Sequence, residues 1–160
     1  MFPWPVYRFP LSTTGLLLTL WLFACTTPSS PDQRIRALIA AGEAAIEAGS
    51  LRQIGELISP AYQDPQGHGR RELMALVSMQ LMRHANIHLL VQIEHIELEY
   101  QQRAKVVLFA AMASGLADVR DLGALQADLY RFDIQVAEED GRWLVVGAQW
   151  RPASREDFSG

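Results

Sequence analysis

The side chains best suited to chemistry gather in residues 62–70: Tyr62, Asp64, His68 and Arg70, set among Pro65, Gln66, Gly67 and Gly69. A phenol, a carboxylate, an imidazole and a guanidinium can together hold a polar group or move a proton. Tyr62, His68 and Arg70 are therefore expected to line the mouth of a ligand pocket beside Asp64. Asp followed by Pro and Gly is also ordinary turn chemistry, because its side chain bonds to amides two residues on. The four histidines, His68, His84, His88 and His95, lack the spacing of the three or four converging ligands that zinc requires. Neither a metal nor a cofactor is expected. No glycine-rich phosphate loop, nucleophile elbow or Cys–His pair occurs, so nucleotide and acyl-transfer chemistry have no support.

These residues need elements to position them. Ser30, Pro31 and Gln33 form an N-cap, a first-turn proline and a capping box. Ile35, Leu38, Ile39, Gly42 and Ile46 follow as one helical stripe, ended by Gly49. Ser50 and Gln53 repeat the cap for a short helix carrying Leu51, Ile54, Leu57 and Ile58. A third helix is expected from Arg70 to Arg83, with Leu73, Leu76, Val77 and Leu81 inward. The period then changes to two. Ile87, Leu89, Val91 and Ile93 alternate with polar residues, after which the apolar set shifts to Ile96, Leu98 and Tyr100. That change of parity predicts a β-bulge near Glu94-His95.

Residues 104–113 are apolar on both sides, as in a central strand, and 114–123 read as a loop. Phe132, Ile134 and Val136 mark another strand, Glu139-Asp140-Gly141 a hairpin turn, and residues 143–150 the last strand. Residues 152–160 read as a flexible tail. The fold class is α+β: three N-terminal helices packed on a strongly curved antiparallel sheet of about four strands.

The chain has 160 residues, 49% hydrophobic and 20% charged, enough for one globular domain. Its net charge of −4 and lack of a basic block argue against a nucleic-acid partner. Residues 1–24 carry Arg8 and then ten largely apolar residues from Gly15 to Ala24. That is too short to span a bilayer and fits a secretory signal. Leu22-Phe23-Ala24-Cys25 resembles the lipobox of bacterial lipoproteins. The resemblance implies lipidation of Cys25, the chain's one cysteine. It also implies a membrane anchor, and with Thr26 rather than Asp, attachment to the outer membrane facing the periplasm. Residues 25–31 then read as a polar, proline-rich tether, and 32–151 as the domain.

The order of elements, the junction Glu47-Ala48-Gly49-Ser50-Leu51 and the ending from Asp140 to Trp150 resemble the nuclear transport factor 2-like superfamily. Its cone-shaped fold serves isomerases, dehydratases, cyclases and non-catalytic binding domains, so fold alone names no reaction. Gln63-Asp64-Pro65-Gln66-Gly67 resembles the segment that carries the base of ketosteroid isomerases. That likeness implies Asp64 as a proton-transferring base and Asp128 as a second catalytic acid. The sequence departs from the pattern at Gln63, in spacing, and at Gly42, where the family's oxyanion-donating tyrosine would stand. Asp128 shares its strand parity with Tyr130, Phe132 and Ile134, toward the interior. Counting back from Gly141 selects Asp133 instead, on the polar side.

The expected function is a lipid-anchored, non-catalytic domain that binds a small apolar ligand or a protein partner. Two alternatives stand beside it. One is a proton-transfer isomerase or hydrolase using Asp64. The other is a homodimer formed through the outer sheet face, where the apolar residues of the central strand would otherwise be exposed.

Overall fold

The computed structural model describes residues 30–84, 86–100, 102–114, 128–154 and 156–158. The segment expected to be a signal, Cys25 and the expected tether up to Ser29 lie outside the described residues, as does most of the loop expected at 114–123.

Three helices, α1 (Pro31–Glu47), α2 (Leu51–Glu56) and α3 (Arg70–Arg83), precede four strands, β1 (Ile87–Glu99), β2 (Arg103–Ser114), β3 (Asp128–Glu139) and β4 (Arg142–Pro152). The capping box of α1 is formed: Gln33 N–H donates to Ser30 Oγ (3.2 Å) and Ser30 N–H to Gln33 Oε1 (3.1 Å). Gly49, at φ +61°, takes the left-handed conformation that ends the helix. Gln53 N–H donates to Ser50 Oγ at the start of α2 (3.4 Å).

The strands form an antiparallel meander in the order β1-β2-β3-β4. The β1–β2 register shifts between Ile93 and His95, leaving Glu94 as the bulged residue where the parity change places it. A second shift, beside Val146 in β4, has no such signature because Val145 and Val146 are both apolar. Asp140 (φ +49°) and Gly141 (φ +76°) make the two-residue turn between β3 and β4.

One sheet face receives the helices. Ile35 and Leu38 of α1 meet Ala104, Val106, Leu108, Val136 and Trp143 in the core. The outer face of β2 is not bare: Val107, Phe109 and Ala111 are buried within the single chain. The Arg131 guanidinium lies 5.6 Å from the centre of the Phe109 ring and pairs with Glu94 (3.0 Å) and Asp133 (3.2 Å). Leu90, beside Ala111 on the same face, stays partly exposed.

Each edge strand is bonded by a neighbouring segment over part of its length. Along β4, Ser59 N–H donates to Val145 O, Val145 N–H to Leu57 O and Gln63 N–H to Val146 O. On β1, Leu89 N–H donates to Glu47 Oε1 from α1 (2.9 Å).

Candidate functional site

The chain following α2 runs beside β4 and turns at Asp64. Its approach depends on Gly147, where an added Cβ would lie 3.0 Å from the Gln63 carbonyl oxygen. The Asp64 side chain is 1% exposed. Its carboxylate accepts from Gln66 N–H (2.9 Å), His68 N–H (2.8 Å) and the His68 ring at Nδ1 (2.8 Å). Burial opposes its charge, but the His68 amide and ring and the Gln66 amide outweigh that and hold the carboxyl below the usual range. A base for a carbon acid needs the opposite shift. Asp64 is the clasp of its own loop.

The expected pocket residues do not converge. Tyr62 is buried, its hydroxyl without a full hydrogen bond. Burial, with the nearby Asp64 charge, raises its pKa, and the Ala148 amide works the other way. The His68 ring is half-exposed and turned onto Asp64. Arg70 donates from Nη2 to Gly55 O (2.8 Å), tying α3 to α2. Asp128 has the interior parity, opposite Met112, but is exposed at the end of β3. Asp133 lies on the outer face, paired with Arg131. There it joins His95, Glu97, Lys105 and Gln135 around a polar groove of about 420 Å³, which Asp64 also borders.

The opposite face of the sheet holds a different space. Beneath α1, α2 and α3 is a cavity of about 260 Å³ walled by aliphatic residues, Phe132 and Trp150. A second space of about 280 Å³ shares Ile46, Leu73, Val77, Phe132 and Trp150 with it and continues toward Met79, Ile87, Met112 and Tyr130. Leu73, Leu76, Val77 and Leu81 face inward as the periodicity requires, yet no residue of α3 is fully buried. They line a hollow where a packed core would bury them.

Glu43 is the one carboxylate on the wall of the inner space among the described residues. It is half-buried. Burial and the Glu47 charge raise its pKa, while the Val91 amide counters them. Helical arithmetic from Ile39 and Ile46, four and three residues away, could have found it. Gly42 also lines the cavity; no polar group stands where the family tyrosine would. Among the described residues no three His, Cys, Asp or Glu side chains are placed to hold a metal, and no helix is long and apolar enough to cross a membrane.

No family model and no curated protein matches the sequence. Solved structures do match the coordinates. A protein of the nuclear transport factor 2-like family from Streptomyces avermitilis superposes with a TM-score of 0.64 at 18% identity, covering 79% of this chain and 99% of its own. The chain has the nuclear transport factor 2-like fold. An uncharacterised cystatin-like protein from Caulobacter vibrioides gives 0.64 at 16% identity, covering 82% and 95%. Bd1075 from Bdellovibrio bacteriovorus gives 0.61 at 12% identity over 77% of this chain, which spans only 41% of that protein.

Proposed function

We propose that this domain is a non-catalytic binder of a small apolar ligand, held in the hollow between α3 and the sheet. The observation that carries the reading is the pair of adjoining apolar spaces beneath a helix with no fully buried residue. Apolar walls with few polar groups suit a ligand whose binding comes from surface removed from water, at about 25 cal/mol per Å². The lowered pKa and saturated carboxylate of Asp64 weigh against the isomerase reading.

In the same proposal, the chain is tied through an acylated Cys25 to the outer membrane and faces the periplasm. A lipobox-like segment and a short tether ahead of α1 support it. More than one acyl chain is needed for stable anchoring, and lipoprotein cysteines carry such modification.

Titration with the apolar fluorophore N-phenyl-1-naphthylamine tests the cavity. One saturable site is expected, and Ala110→Phe, which fills the inner space, should weaken it about tenfold or more, the equivalent of roughly 1.4 kcal/mol. Unsaturable binding, or binding untouched by a folded Ala110→Phe variant, would refute the reading. For the anchor, Cys25→Ser should move the protein out of the membrane fraction; unchanged fractionation refutes lipidation.

A further inference from the structure

The strands outreach the helix that covers them. The 13 residues of β1 extend about 43 Å at roughly 3.3 Å each, whereas the 17 residues of α1 extend about 25 Å at 1.5 Å each. At one end the overhang is the β1–β2 hairpin, where Leu98 is 52% and Tyr100 95% exposed. Leu98 has the helix-facing parity of Ile96 but lies beyond the helix.

The start of α1 lies at this same end. Arg34 in its first turns bonds Glu138 (2.6 Å) beside the β3–β4 turn, and Glu138 N–H donates to Gln102 O in the β1–β2 hairpin (2.9 Å). Ser30, where the N-terminal segment joins the domain, is thus adjacent to both hairpins. Cys25 is five residues earlier in the sequence, a reach of at most about 18 Å. The outer part of the hollow is at the far end of α1, bordered by Ile46, Ile87, Met112 and the half-exposed Met79 and Trp150.

We propose that the hairpin end, led by Tyr100 and Leu98, rests on the lipid surface to which the N-terminal segment is tied, with the mouth of the cavity held about 25 Å away on the aqueous side. Tyrosine suits this position, since its ring enters the apolar boundary while its hydroxyl stays wet. Arg103 and Arg142 share the hairpins with Glu97, Glu99 and Asp140, so the contact rests on the exposed Tyr100 and Leu98 and not on charge attraction. Ligand would then be exchanged with the aqueous compartment or a carrier there, and not drawn from the anchoring leaflet. This orientation rests on the anchor proposed above.

The test uses the full acylated chain in phosphatidylethanolamine–phosphatidylglycerol vesicles containing brominated lipid. Tyr100→Cys and Met82→Cys, at the exposed hairpin and at the exposed end of α3, are labelled with the fluorophore NBD. Emission at position 100 should be quenched by brominated lipid several-fold more than at position 82. Equal quenching, or the reverse order, overturns the orientation. Should the protein fail to float with vesicles, the anchor reading fails by itself. The same two labels are then read on a chain with a histidine tag in place of residues 1–29, held by nickel-chelating lipid. Preferential quenching at position 100 is still expected, and its absence overturns the hairpin contact.

Discussion

The two ends of the helical layer are built differently although their sequences look alike. At the hairpin end, Ile35 is fully buried and meets Val106, Val136 and Trp143 directly. At the other end, Leu73 and Val77 are equally apolar and equally well spaced, yet they face empty volume across from Phe132 and Trp150. A periodic apolar stripe shows which way a helix faces. It does not show whether the space it faces is filled. Here one end is close-packed, and the other encloses a hollow.

Substitutions separate the two most sharply. Ile35→Ala should cost about 3–4 kcal/mol in denaturant unfolding, since it opens a cavity in close-packed surroundings. Leu73→Ala should cost about 1 kcal/mol or less, because its side chain already borders a void. Equal losses would mean that the hollow end is packed in solution. Gly147→Val comes next in size. Its side chain would press on the Gln63 carbonyl, and the loss expected is about 1–3 kcal/mol, read in the same unfolding curves. Because that strain falls on the Asp64 loop, faster amide exchange at Gln66 and His68 should accompany it.

Gly42→Ala has the opposite sign. The added Cβ would stand 3.9 Å from Leu57 Cδ1, an ordinary contact, in the middle of a helix. A gain of about 0.5–1 kcal/mol is expected, seen as a raised melting temperature. A decrease would show that the glycine is needed for more than ligand space.

The smallest effects are in pH dependence, where two carboxylates, Asp64 and Glu43, differ in sign. Asp64 titrates below its unfolded value. Its stabilising contribution is therefore complete above the unfolded aspartate pKa, near 3.9, and is lost as pH falls through the folded pKa. Glu43 titrates above its unfolded value. Its charged form is a liability that sets in as pH rises from the unfolded glutamate pKa, near 4.3, through the folded one. Asp64→Asn should flatten the acid limb of a stability–pH curve. Glu43→Gln should raise stability at neutral pH and remove the decline above the glutamate range. Parallel curves for either variant and the parent would contradict the assignment.

The candidate site was less legible than the fold. Tyr62, His68 and Arg70 are close in sequence to Asp64, but a turn sends successive side chains in different directions. They end beside the Ala148 amide of β4, on Asp64 itself and on α2. Asp128 has the expected parity, and parity does not tell how far along a strand the interior extends. Glu43 went unremarked because charged residues on a helix usually face water.

What the amino-acid order determined by itself is local: the caps at Ser30 and Ser50, the left-handed stop at Gly49, the bulge at Glu94, the Asp140-Gly141 turn and the inward sides of α1 and α3. Each depends on sterics and hydrogen bonds between residues a few positions apart. Tertiary structure alone decided that α3 stands away from the sheet, that Arg131 covers Phe109 and that Asp64 closes on its own loop. Those outcomes depend on distances between segments far apart in the chain, and no periodicity carries that information.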